Sequence, residues 1–531
     1  MSSFDLVIRN GVIVDGSGAP PFKADIGIVD DTITKIGDLS NVNAERIVDA
    51  SDLIVAPGFI DIHNHSDVNI FLVPTADNYV MQGVTTIVIG NCGFSPAPIT
   101  DKNIDVMRIG LRKLIEKFGS IPWRSFPEYM QALDSLKKSI NVATLVGHGT
   151  IRGAILGTEN IQPSEKDLKE MKSLIHEAVK MGAFGISTGL IYVPGLFAKT
   201  QELIELAKVI APFKGIYATH MRNEGTGLLD AIIETITIGV KSNVGVEISH
   251  LKSTGIPSWG HIATALSVIE DYAKRGYDIS ADAYPYTASS TGLDALFPSW
   301  AREGGVIKLI ERLKDPNILD RILREFERKG IMEERYLEWN QIVIAYSESH
   351  RELEGKSIEE ISQLWSMDPI KVIERILTED EGTTAIVIHS MNENDVRKAL
   401  AHPLVAIGSD GSIREFGEGK PHPRNYGTFP RVISEYVRKH KLLSLPEAIR
   451  KMTSLPARKL KLWDRGLIRP GFKADITIFN YYSIKDLATY ESPHNYPKGI
   501  EYVIVNGTVV VEEGKHTKAM PGRLLKSTHY R

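Results

Sequence analysis

The sequence predicts an α/β protein: a (β/α)8, TIM-like barrel with a small β-sandwich domain built from both termini and a helical insertion near the barrel mouth. Three observations carry this prediction. Uninterrupted apolar runs alternate with amphipathic stretches through the middle of the chain. Both ends read as short strands broken by turn residues, and one connection is far too long for a barrel loop.

Residues 1–55 begin with DLVIRNGVIVDGSG, whose β-branched runs are broken by Asn10-Gly11 and Asp15-Gly16, both hairpin signals. ADIGIVDDTITKIGD repeats the pattern with Asp30-Asp31 at the turn. Residues 461–531 do the same in KADITIFN and GIEYVIVNGTVVVEEGK, with a turn at Asn506-Gly507. The two ends therefore predict one small β domain.

Between 56 and 460 the apolar runs are APGFIDI, TTIVIG, ATLVG, FGIST, GIYAT, VGVEIS, DISADAY and LVAIGS. The stretches between them have helical spacing, as in SEKDLKEMKSLIHEAVKMG with Leu168, Met171, Leu174, Ile175 and Val179. Apolar strands alternating with helices indicate a parallel sheet covered on both faces. Eight strands is the count for a closed barrel. A doubly wound sheet is the alternative, but no glycine-rich phosphate loop follows the early strands. From 292 to 384 the sequence reads as an inserted, mainly helical subdomain between the seventh and eighth strands, placed to act as a lid.

Composition excludes several function classes. Lys+Arg total 62 against Asp+Glu 66, so a net charge of −4 gives no case for a nucleic-acid or anionic-membrane partner. One cysteine in 531 residues rules out an intramolecular disulfide framework and suits a reducing compartment. No stretch approaches the ~20 apolar residues that span a bilayer, and the first residues carry no signal-peptide pattern. The expectation is a cytoplasmic protein acting on a small molecule, with oligomerisation left open.

The polar residues that end the apolar strands carry the chemistry. The first strand runs into Asp61-Ile62-His63-Asn64-His65, and extended chain puts the rings of His63 and His65 on one side. The second ends at Cys92, GIYAT at His220, VGVEIS at His250 and LVAIGS at Asp410. Taken singly, a strand-end histidine is usually a hydrogen-bonded structural residue, a lone cysteine a small hydrophobe and an Asp before Gly a turn. Six such residues at the same end of separate strands are hard to produce by packing alone. Zn²⁺ accepts this mixture of nitrogen, sulfur and oxygen donors.

The constellation resembles the amidohydrolase superfamily, and within it the D-aminoacylase (N-acyl-D-amino-acid deacylase) family. The likeness rests on APGFIDIHNH, GNCGFSPAP, STGLIYVPG, HMRNEG, SHLKS, AYPYTASST, FPSWAREGG and HPRNYGTFPRV, in that order. It implies that Cys92, His220 and His250 hold one zinc ion tightly, with His63, His65 and Asp410 forming a second, weaker position. Many superfamily members bridge their metals with a carboxylated lysine on the fourth strand. Here that strand ends in Ser187-Thr188-Gly189-Leu190, so Cys92 is the expected substitute.

The implied activity is zinc-dependent hydrolysis of N-acyl-D-amino acids to a D-amino acid and a carboxylate. Such a reaction needs a group that takes a proton from water and returns it to the leaving amine, and Asp410 is cast in both roles. Arg424 and Lys252 are the cations for the α-carboxylate, with Tyr284 and Ser290 added by the resemblance. His148 either stabilises the oxyanion or braces the site. Arg222 and Glu224 read as a structural ion pair. The competing readings are a cyclic-amide hydrolase of hydantoinase or dihydroorotase type, a deaminase, and a non-catalytic scaffold; against the last, all six ligand positions are filled.

Overall fold

The computed structural model describes residues 4–332 and 335–527. Eight parallel strands form its centre: β1 (Phe59–Asp61), β2 (Val84–Ile89), β3 (Asn141–Thr144, resuming at Val146–Gly147), β4 (Gly185–Gly189), β5 (Ile216–His220), β6 (Gly245–Ile248), β7 (Ile279–Ala283) and β8 (Val405–Ile407). These are the eight apolar runs of the sequence. Every residue in them is buried, which is why no polar alternation interrupts the pattern.

The strands pair in chain order. A three-stranded sheet joins β1, β2 and the first segment of β3, and a six-stranded sheet runs from the second segment of β3 to β8. The ladder is thus two sheets rather than one closed ring, with the interruption at Leu145. Past the strand ends, Asp410 N–H donates to the His63 carbonyl at 2.9 Å and His65 N–H to that of Gly411 at 2.8 Å. The segments following β1 and β8 therefore lie side by side.

Helices cover the strands as the spacing predicts. In Glu165–Lys180, Ser164 and Asp167 cap the first turn reciprocally, and Met171, Ile175, Ala178 and Val179 are buried on one face.

Two sheets are built from the ends of the chain. One has four strands (Phe4–Arg9, Asp25–Val29, Thr32–Gly37, Ala44–Asp49). In the other, Ile54–Pro57 from the first part pairs antiparallel with Ile476–Phe479 from the last, with Val55 opposite Ile478. Ile8, Ile28 and Ile33 of the first sheet share a buried cluster with Val55, Ile478 and Ile504 of the second. Asn506 (φ 47°) and Gly507 (φ 79°) make the expected left-handed hairpin turn between Ile500–Val505 and Thr508–Glu512. The chain then runs parallel beside β3, where Leu525 N–H donates to the Val142 carbonyl at 2.7 Å.

The long connection between β7 and β8 departs from expectation. It holds helices such as Pro316–Lys329 and Pro369–Glu379, but also a three-stranded antiparallel sheet of Ser289–Gly292, Ala385–Ile388 and Ile342–Tyr346. Only IVIAY and AIVI betray that sheet in the sequence, as short apolar runs amid charged helical segments. Its core, including Leu296, Ile322, Ile344 and Ile386, is separate from the central one. Among the described residues no helix is long and apolar enough to cross a membrane.

Candidate metal centre

All six residues singled out at the strand ends meet in one buried cluster. Cys92 Sγ lies 3.4 Å from His63 Nε2, 3.4 Å from His250 Nε2 and 3.8 Å from His220 Nδ1. His63 Nε2 and His65 Nε2 lie 3.5 and 3.1 Å from Asp410 Oδ1. The strand ends at Asp61 and the chain bends at Ile62 and His63, yet both rings still reach one carboxylate.

Backbone geometry sets these side chains. Cys92, His250 and Asp410 all have left-handed φ values, 51°, 37° and 53°. Such conformations cost non-glycine residues ~1–3 kcal/mol each and persist only where surrounding contacts impose them. Here the His250 N–H is held by Asp282 Oδ1 at 2.9 Å and the Asp410 N–H by the His63 carbonyl. Ahead of Cys92, Gly90 has φ 80°, and a Cβ there would collide with the Leu145 carbonyl. Strand β4 abuts the same turn: Gly93 N–H donates to Ser187 Oγ at 3.0 Å, and a Cβ on Gly189 would strike the Cys92 carbonyl. The end of β4 supports the Cys92 turn and offers no side chain to a metal.

The donors suit a soft-to-borderline divalent cation. Burial holds His220 and His250 below the usual imidazole range, so both are neutral with a lone pair to give. Burial pushes the Cys92 thiol up, and the Asp410 carboxylate adds to this, so a cation is what favours the thiolate here. Among the described residues, three sets of donors come within 4.8 Å of one another: His63, Cys92 and His250; His63, His65 and Asp410; and His220, Glu224 and His250.

Glu224 is the residue that sequence reasoning misplaced. It does not pair with Arg222, whose guanidinium goes to Glu234 at 3.0 Å. Instead Glu224 Oε1 lies 2.7 Å from Lys252 Nζ and 3.1 Å from His250 Nδ1, and Oε2 lies 3.5 Å from His220 Nε2 and 3.4 Å from Arg335. Burial raises its pKa, but His220 and Lys252 outweigh that and hold the carboxyl well below the usual range. Asp282, at 3.4 Å from His63 Nδ1, was likewise not foreseen; an acid inside the apolar run DISADAY was its only signal.

A cavity of about 200 Å³ opens onto the cluster, lined by His220, Lys252, Ser290, Arg335, Asp410 and Arg424 among others. Arg424 starts the helix Arg424–Arg431 and is not a free cation: its Nη1 lies 2.8 Å from Asp410 Oδ2, and its Nη2 donates to the Ser290 carbonyl at 3.4 Å. Tyr284 does not present its hydroxyl to this cavity; the O–H donates to Met391 Sδ at 3.7 Å. Its ring face instead carries Lys252 Nζ at 5.7 Å and the Arg424 guanidinium at 5.0 Å from the centroid. His148 bonds Glu202 through Nε2 at 2.9 Å, in a buried network with Arg152.

The chain belongs to the amidohydrolase family, whose model matches residues 46–511. Over 525 residues it is 35% identical to a D-aminoacylase of Alcaligenes xylosoxydans xylosoxydans, covering 99% of this chain and 98% of that protein. An N-acyl-D-glutamate deacylase of the same organism is also 35% identical over 525 residues, covering 98% and 96%. The crystal structure of N-acyl-D-glutamate deacylase from Bordetella bronchiseptica, complexed with zinc and a phosphonate mimic of the tetrahedral intermediate, superposes with a TM-score of 0.84. It is 31% identical and covers 99% of this chain and 100% of that one. The family read from the motifs is borne out.

Proposed function

We propose that this protein is a zinc-dependent deacylase that hydrolyses the linear amide of N-acyl-D-amino acids to a D-amino acid and a carboxylate. The observation that carries this reading is the mixed sulfur, nitrogen and oxygen cluster at the mouth of a cavity that also holds Arg424 and Lys252. The relatives named D-aminoacylase and N-acyl-D-glutamate deacylase, and the zinc and phosphonate in the Bordetella enzyme, support the same chemistry.

Cys92, His220 and His250 would hold zinc tightly, and His63, His65 and Asp410 would offer a second position. Zinc, when bound, supplies a Lewis acid and brings water to a pKa of ~7. Asp410 takes the proton from the attacking water and returns it to the departing nitrogen, which leaves as a neutral amine. Arg424 and Lys252 fix the substrate's α-carboxylate, with Ser290 at the cavity wall. Tyr284 acts by holding both cations on its ring rather than by its hydroxyl.

The same reading takes the eight parallel strands as a closed barrel over 56–460, with 292–384 inserted beside its mouth. The parts 1–55 and 461–531 then form one sandwich domain. A reduced Cys92 suits a cytoplasmic location. A cyclic-amide hydrolase is disfavoured because β4 ends without a lysine.

A hydrolysis screen of the zinc-loaded protein tests the proposal. N-acetyl-D-amino acids should be cleaved, and their L enantiomers and hydantoins should not. Equal rates on D and L substrates, or activity confined to cyclic amides, would overturn it.

A further inference from the structure

A second cavity, of about 330 Å³, meets the metal centre at Cys92. His65 and Tyr192 line both cavities, but none of Lys252, Arg335, Asp410 or Arg424 lines this one. Its walls are apolar side chains, among them Phe94, Val106, Met107 and Val193, together with the backbone of Gly149 and Gly153. Two of its polar residues are already occupied elsewhere. Asn103 accepts from the Thr100 N–H at 2.8 Å and donates to the Pro98 carbonyl at 3.1 Å. Thr150 Oγ1 accepts from Ser95 N–H and donates to the Ser95 carbonyl, both at 2.9 Å. An occupant of this cavity is asked for few hydrogen bonds.

An amide substrate has two arms. With the amino-acid arm held by cations in the first cavity and the scissile carbon at the metal centre, the acyl arm must leave by another route. The apolar cavity offers it. An acetyl methyl is about the size of one water and would leave most of a 330 Å³ cavity unfilled. A straight chain of roughly six to ten carbons would use that space. Val106, one of the lining residues, is 37% exposed, so the cavity wall reaches solvent there and a longer chain need not be blocked.

We infer that this cavity is an acyl-chain site and that the preferred substrates carry a medium-length apolar acyl group rather than acetyl. The inference rests on the deacylase reading, and its test separates the two. The zinc enzyme would be assayed on one D-amino acid bearing acetyl, butanoyl, hexanoyl and octanoyl groups. Each added methylene that enters an apolar site raises kcat/KM roughly threefold to fourfold. The octanoyl substrate should therefore exceed the acetyl one by at least about a hundredfold. A flat or falling series with acetyl hydrolysis intact overturns the acyl site and leaves the deacylase standing. No turnover at any chain length overturns both.

A second variant locates the effect. A Cβ on Gly153 would meet Asn103 Cβ at 3.5 Å and Pro194 Cγ at 3.7 Å, ordinary contact distances, so a side chain can start there and extend into the space. Gly153→Leu should cut the octanoyl-to-acetyl ratio of kcat/KM by at least about tenfold, the loss of two or more methylene contacts. An unchanged ratio would mean that the acyl chain lies elsewhere.

Discussion

Arg424 Nη1 lies 2.8 Å from Asp410 Oδ2, so the cation expected to clamp the substrate also grips the carboxylate expected to move the proton. Both side chains are buried. Burial raises the pKa of Asp410, but the Arg424 guanidinium and then His250 outweigh it, keeping the carboxyl well below the usual range. Under the proposed roles, substrate binding and proton transfer would share one guanidinium.

Arg424→Ala should lower kcat as well as raise KM. Losing a charge-assisted hydrogen bond costs ~1.5–3 kcal/mol, or roughly 10–150-fold in kcat/KM on substrates with a free α-carboxylate. Sequence alone suggests that neutral amide analogues would be spared. The ion pair to Asp410 means that they too should slow, by a smaller factor. Parallel kinetics on both substrate types check this, and unaffected neutral analogues would show that Asp410 works without Arg424.

Asp410→Asn keeps the shape of the side chain and removes its basicity. A fall in kcat of ~10²–10⁴ is expected, with zinc retained at the Cys92, His220 and His250 position. Near-normal kcat in a zinc-loaded variant would end the proton-shuttle assignment.

Cys92→Ala should strip most of the zinc while leaving the fold in place, because the central core does not depend on the thiol. Metal analysis and circular dichroism on the same sample separate the two effects. Full zinc content in the variant would remove Cys92 from the ligand set.

Glu224→Gln removes the one negative charge among Lys252, His250, His220 and Arg335. Ligand-orienting carboxylates typically contribute 10–100-fold to metal affinity, and stranding buried cations costs about 3–5 kcal/mol. Competitive chelator titration should show weaker zinc binding, and the unfolding midpoint should drop. Unchanged values for both would make Glu224 a bystander.

Lys451 provides a pH signature away from the site. It is fully buried, donating to the Val405 carbonyl at 2.7 Å and to that of His402, and burial lowers its pKa to about 7. An unfolded lysine titrates near ~10.4, so between those values the unfolded chain holds a proton that the folded one has released. Stability therefore rises with pH across that window, by up to about 1.4 kcal/mol per unit. Wild type should gain on Lys451→Met from about pH 7 upward and run parallel to it below; urea midpoints across the range measure the difference.

The eight strands and six strand-end residues were legible because burial on both faces leaves an unbroken apolar run, and the ligand-type residues stand within a few positions of its end. Glu224 was not legible, since its partners Lys252, His250 and Arg335 come from other segments. The true partner of Arg222 is Glu234 in the helix Leu228–Ser242, a pairing decided by helix placement rather than by adjacency. The aim of the Tyr284 hydroxyl depends on its rotamer, which no motif encodes. The small sheet of the insertion pairs IVIAY with AIVI some forty residues later, a non-local contact hidden between helical segments.

The pairing of Ile54–Pro57 with Ile476–Phe479 also has a consequence in time. Some 420 residues separate the two strands, and a ribosome adds ~5–20 residues per second. For roughly 20–80 s after its synthesis, Ile54–Pro57 is an emerged strand without that neighbour. Its Val55 side chain belongs to a cluster that also needs Ile478 and Ile504. The strands leading to the six candidate ligands are all made within that interval, whereas the last stretch to pair beside β3, around Leu524, follows only after the interval ends.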